Sequence, residues 1–230
     1  MTSTNSVRDQ VNNVLDFFRK EKVAEFVNWS VINDRMVSWP DFESGILSSN
    51  TSGSATVDYY LECLGAGQYS ALLWDGSLLQ LSYEIFDGEV SWHRLGYVPC
   101  PFAVNRGHLE VPDRGFREII EEDFLLGDCA VLLRTPLHFD FDVESAKYGH
   151  PAVHLSFNTV DCRIACVAPL SVFSFIEFIF QNFYPEEMRV HATWFEDHPR
   201  GDPYPRVISD DETSRLHINW PLHLEPAFSS

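Results

Sequence analysis

Basic residues are scarce in this chain. Lysine and arginine number 16 against 34 aspartates and glutamates, a formal net charge of −18 over 230 residues. Such a balance repels phosphate backbones, so DNA binding is disfavoured and RNA or a nucleotide is admitted only through a local basic pocket. A protein partner with a basic surface fits better. Cysteine is sparse too: five residues (63, 100, 129, 162 and 166), an odd number with no CxxC pair. That argues against a disulfide framework and a zinc ribbon and predicts reduced, buried thiols. No apolar run approaches the length of a membrane span. The opening MTSTNSVRDQ has neither the basic start nor the apolar core of a signal peptide, and the expectation is a cytoplasmic protein with no membrane association. Glycine-rich phosphate loops, nucleophile elbows, Cys–His motifs and internal repeats are missing as well.

Aromatic residues are plentiful. Eighteen Phe, 8 Tyr and 6 Trp within a 45% apolar composition exclude intrinsic disorder, and the length suits one domain with a sizeable core. We expect a single α+β domain: a helix and irregular connection over 1–56, a core over 57–184 and an extension over 185–230. Val7, Val11, Val14, Leu15 and Phe18 share one face of a helix predicted over 7–26, with Ser6 or Thr4 as N-cap. Residues 33–56 lack periodicity and read as an irregular surface connection. Strands are predicted over 59–64, 69–74, 78–85 and 90–97. Asp75-Gly76 and Asp87-Gly88 supply the turns of an antiparallel meander, and the alternation of Gln80, Ser82 and Glu84 with Leu79, Leu81 and Tyr83 predicts a sheet covered on one side. A second helix over 114–126 carries an acidic, solvated face. Residues 161–167 form a further strand. The Phe-rich stretch 171–183 is predicted as a buried helix capped by Ser171 and ended by Pro185. The remainder is a polar tail with one late strand over 215–220.

The chemistry concentrates in residues 134–169. His138, Asp140 and Asp142 alternate with Leu137, Phe139 and Phe141, then His154, Ser156 and Asn158 alternate with Val153, Leu155 and Phe157. On strands each triplet shares a face. Paired as a hairpin across the turn-rich connection 143–150, the two triplets place two His and two Asp within about 8 Å of one another.

Three pieces of the chain resemble DUF2290, a bacterial family of unknown function. They are Asp75-Gly-Ser-Leu-Leu-Gln-Leu-Ser-Tyr-Glu84 with His93-Arg94-Leu95 and Tyr97-Val-Pro-Cys-Pro-Phe102; Leu133-Arg-Thr-Pro-Leu-His-Phe-Asp-Phe-Asp142; and His150-Pro-Ala-Val-His154 with Cys162-Arg-Ile164 and the Phe-rich helix. The resemblance runs from about residue 59 to 184 and implies no activity. The order of an Asp-bearing strand, a His-Pro turn and a His-bearing strand is also similar to that of small toxin families.

Two readings of the hairpin's polar face compete, a solvated sheet face and a site. Asp and Asn are depleted in strands, which speaks for a site, but structural networks of His and carboxylates imitate one, and the solvated face keeps the greater weight. A site admits two chemistries. In the first, His138 and His154 act as acid and base, Asp140 or Asp142 fixes a tautomer, and Arg134 or Lys147 stabilises negative charge, a set suited to a hydrolase-like effector of phosphodiesterase or ribonuclease type. In the second, His138, Asp140 and His154 hold a divalent metal. A different class of function is a non-catalytic acidic subunit that binds a partner protein, with Trp194, Phe195, Tyr204 and Trp220 as aromatic anchors.

Overall fold

A computed structural model describes residues 2–43, 56–103, 118–120, 122, 130–157, 162–198 and 204–220. Nine strands form one antiparallel sheet: β1 (Ala24–Val27), β2 (Val31–Asn33), β3 (Met36–Ser38), β4 (Ala71–Leu73), β5 (Leu78–Phe86), β6 (Glu89–Val98), β7 (Leu137–Asp142), β8 (Val153–Phe157) and β9 (Arg163–Ala165). Their order is β1-β4-β5-β6-β7-β8-β9, with the β2–β3 hairpin added to the far end of β5 through β3. Asp87 (φ +50°) and Gly88 (φ +81°) make the tight β5–β6 turn, the left-handed pair that matches strand twist. The predicted α+β meander and hairpin are both present.

Two layers of helix cover the sheet. On one face lie α1 (Thr4–Lys20) and α3 (Val172–Phe183). They enclose the main core with Leu79, Leu81, Tyr83, Leu95, Phe139, Phe141 and Leu155, and Phe18 stacks on Phe180 at 5.5 Å between ring centres. Burying Val172, Phe175, Ile176, Ile179 and Phe180 of α3 contributes on the order of 10 kcal/mol before entropy. Ser171 caps α3, accepting from the Ser174 amide at 3.2 Å. On the opposite face α2 (Thr56–Gly65) packs Tyr59, Tyr60, Cys63 and Leu64 against Leu78 and Val98.

The structure corrects several sequence expectations. The first helix begins at Thr4 under a Ser3 cap and stops at Lys20, because Lys22 turns left-handed (φ +56°) and residues 24–27 pair with β4 as a sheet edge. Residues 36–38, expected to be irregular, are strand β3. The stretch 59–64, expected to be a strand from its Tyr and Leu content, is helical. Its buried residues at i, i+1, i+4 and i+5 follow the 3.6 period, which outweighs propensity. The sheet is covered on both sides, so Gln80 and Ser82 are fully buried rather than solvated. The Phe-rich helix does end ahead of Pro185, at Phe183, but Pro185 also opens a further helix not expected from the sequence, α4 (Pro185–Val190), followed by α5 (Ala192–Asp197). A four-residue α6 (Asp210–Thr213) follows. The late strand is a single parallel bridge, Cys166 to Ile218. Cys63, Cys100 and Cys166 are buried free thiols, whereas Cys162 is exposed. Asn158, Cys129, the Ser-rich run 48–54 and most of the helix expected over 114–126 lie outside the described residues; within that helix, 118–120 are helical.

Candidate functional site

The α2-covered face of the sheet carries two neighbouring polar rows that cross the strands. Register places Gln80, Gly96, His138, Ser156 and Arg163 side by side in one row, and Ser82, Arg94, Asp140, His154 and Ala165 in the next. His138 and His154 are therefore diagonal neighbours on adjacent antiparallel strands, as the alternation predicts.

Asp140 is the centre of the second row. Arg94 donates from Nε to Asp140 Oδ1 at 3.0 Å, and His154 Nε2 stands 3.8 Å from Oδ2, longer than a direct hydrogen bond. Burial alone would raise the Asp140 carboxyl, but Arg94, with smaller contributions from His138 and His154, holds it below the usual carboxylate range. Asp140 is thus a fixed anion. The carbonyl of Pro151 accepts from His154 Nδ1 at 2.9 Å. That bond puts the neutral ring's proton on Nδ1 and leaves Nε2 facing Asp140. Burial lowers the affinity of His154 for a second proton, and the Asp140 charge opposes the loss.

The first row is built around a missing side chain. A Cβ at Gly96 would lie 2.7 Å from Gln80 Oε1 but only in ordinary contact, 3.5 Å, with His138 Cδ2, so the glycine makes room for the Gln80 side chain over that strand. Gln80 Nε2 donates to the Gln68 carbonyl at 2.8 Å. Among the described residues, His138 Nε2 is buried without a hydrogen-bond partner. Burial, with Arg94 second, pushes His138 down to about 4, so its ring is neutral at pH 7.

His93 supplies the contrast. It lies on the opposite face, fully buried, and burial likewise pushes it down to about 4. Yet its Nε2 accepts from the Leu170 amide at 3.1 Å, which leaves Nδ1 to donate to the Phe139 carbonyl at 3.2 Å. His93 is a satisfied structural histidine. His138 is not.

The remaining predicted residues lie elsewhere. Asp142 sits on the same face as Asp140, but its carboxylate accepts from the Ser145 amide and hydroxyl at 3.1 and 2.6 Å and shapes the hairpin loop. Arg134 donates to the Cys100 carbonyl at 3.1 Å and lines a separate cavity with Asp75 and Tyr184. Lys147 is exposed at the hairpin tip. The cation beside Asp140 is instead Arg94, which the same alternation on β6 (Trp92, Arg94, Gly96) marks, but only once β6 is known to pair with β7. Among the described residues no group of three or more His, Cys, Asp or Glu side chains is placed to hold a metal ion. The guanidinium on Asp140 would moreover repel a cation there, so His138, Asp140 and His154 do not fit the metal arrangement.

The model of the uncharacterized conserved protein family DUF2290 matches residues 23–220. The chain belongs to that family. The match is wider than the span 59–184 that the motifs suggest, and it includes every residue of the two polar rows, leaving α1 of this DUF2290 chain outside. No curated protein and no solved structure is similar to the chain.

Proposed function

We propose that this DUF2290 protein is a hydrolase-like effector of phosphodiesterase or ribonuclease type, working by histidine acid–base chemistry on the Arg94, Asp140, His154 and His138 face. The observation that carries the reading is the buried, unpartnered Nε2 of His138 beside a tethered anion. An orphaned buried polar atom costs about 1–3 kcal/mol, and on the other face the same residue type is fully bonded. Such an atom, on the same sheet face as a second imidazole and a carboxylate, is suited to accept a hydrogen bond or a proton from a bound group. In this scheme His154 moves the proton. Asp140 stabilises its charged form, the Pro151 carbonyl holds its ring, and Arg94 holds Asp140 ionised. His138, neutral above about pH 4, accepts from the substrate.

The test is cleavage of RNA and of nucleotide phosphodiesters by wild type and by His138→Ala and His154→Ala, with and without Mn²⁺ or Zn²⁺. Loss of about 10²-fold in both variants at unchanged thermal midpoint supports the reading. A wild type inert under every condition overturns it.

A second reading is a non-catalytic acidic subunit that binds a basic partner protein. It draws on the −18 charge and on Phe26, Trp29 and Val31, which are exposed around the β1–β2 end of the sheet. The tail aromatics do not support it, since Phe195 and Tyr204 are buried and Trp194 and Trp220 pack on the core.

A further inference from the structure

The tip of the β7–β8 hairpin has a structure of its own. Lys147 and His150 exchange two backbone hydrogen bonds, 3.0 and 2.8 Å, around Tyr148 and Gly149. Gly149 takes φ +77° there, a conformation that favours glycine. Asp142, by holding Ser145, anchors the preceding turn. The tip therefore presents Lys147 and His150 on a braced support, facing the α6 segment across a cavity of about 680 Å³, within the range of small-molecule sites.

Four groups that are or can become cationic line that cavity: Lys147, His150, Arg163 and Arg215. Its two acids are already occupied. Asp211 pairs with Arg215 at 2.8 Å, and Glu212 accepts from the Ser209 amide and hydroxyl. Lys147 and Arg163 have no ion pair among the described residues. Two unpaired cations in one concave site stand out in a chain with only 16 basic residues. Burial, then Arg163 and Lys147, lower His150, in keeping with positive potential at the site.

The cavity also adjoins the polar rows. His150 and His154 meet edge to face with ring centres 5.0 Å apart, and Arg163 is the register partner of Ser156 beside His138. We propose that the cavity between the hairpin tip and the α6 segment binds a small phosphate-bearing ligand through Lys147 and Arg163. Its presentation to His154, though not the binding itself, rests on the acid–base reading above. Arg163, half-buried on β9, gives a fixed charge and Lys147 a mobile one, the usual division of labour at phosphate sites.

Calorimetric titration with inorganic phosphate and with adenosine 5′-monophosphate, at constant ionic strength, tests it. The expected result is one saturable site, weakened about tenfold or more in Arg163→Gln and in Lys147→Gln. Arg8→Gln removes the same charge from an exposed pair on α1 and should bind as wild type does. No saturation below about 10 mM, or equal weakening in Arg8→Gln, overturns the proposal. Binding without hydrolysis leaves the phosphate site standing and removes the acid–base reading. Hydrolysis without binding does the reverse.

Discussion

At the scale of single residues, two of the three buried histidines, His93 and His138, define the strongest test of the site. His93 ties β6, β7 and the start of α3 through two hydrogen bonds, whereas His138 Nε2 has no partner among the described residues. Replacing His93 by Leu strands a buried amide and a carbonyl and should cost about 2–4 kcal/mol. His138→Leu removes an orphan and should cost less than about 1 kcal/mol. Urea denaturation of the two variants measures the difference, and equal losses would show that His138 is structural after all. Arg94 and Asp140, with side chains 18% and 16% exposed, form a mostly desolvated pair. Asp140→Asn or Arg94→Met alone should destabilise by about 3 kcal/mol, the pair Arg94→Met/Asp140→Leu by less than the sum. Additive losses would mean that the pair is not coupled.

At the scale of elements, α1 and Gly96 are informative. α1 precedes the family-matched span, yet Val7, Val11, Val14, Leu15 and Phe18 are buried in the main core. A chain starting at residue 23 should lose cooperative unfolding, seen as a broad or absent transition in circular dichroism. A sharp transition at the wild-type midpoint would show that α1 is dispensable. Gly96→Ala displaces the Gln80 side chain and should cost about 1–3 kcal/mol. Gln80→Ala in the same chain should recover part of that loss, because the 2.7 Å approach is to the Gln80 side chain. Failure to recover any would place the strain in the backbone instead.

At the scale of the whole molecule, stability should depend on acid through its histidines. An unfolded histidine takes up a proton near 6.5, while folded His93 and His138 stay neutral down to about 4. Between those values the unfolded chain binds more protons, so stability falls as pH drops from about 6.5 to 4 and is level above about 7. Each ring contributes up to about 3 kcal/mol over the window. Asp140, depressed below its ordinary value, adds a loss at still lower pH. Denaturant midpoints taken between pH 4 and 8 measure the slope, and His93→Gln should reduce it, leaving the contributions of His138, His150 and His154. An unchanged slope would mean that His93 is not the neutral buried group.

Local periodicity alone determined the hairpin and its polar face, the Asp-Gly turns and the buried Phe-rich helix, since each is a pattern within about a dozen residues that survives any packing. It also brought His138, Asp140 and His154 together before any fold was known, because strand parity is fixed by the backbone. Only tertiary structure decided the rest. Arg94 became Asp140's partner through the β6–β7 register, which no local signal encodes. Residues 59–64 became a helix because the second face of the sheet needed a cover. Residues 24–27 became a strand because β4 offered an unpaired edge. Burial beneath that second layer turned Gln80 and Ser82 of β5 from an expected solvated face into an enclosed polar one. Alternation reports only which side chains share a face, and what lies above that face is set by chain segments far away in sequence.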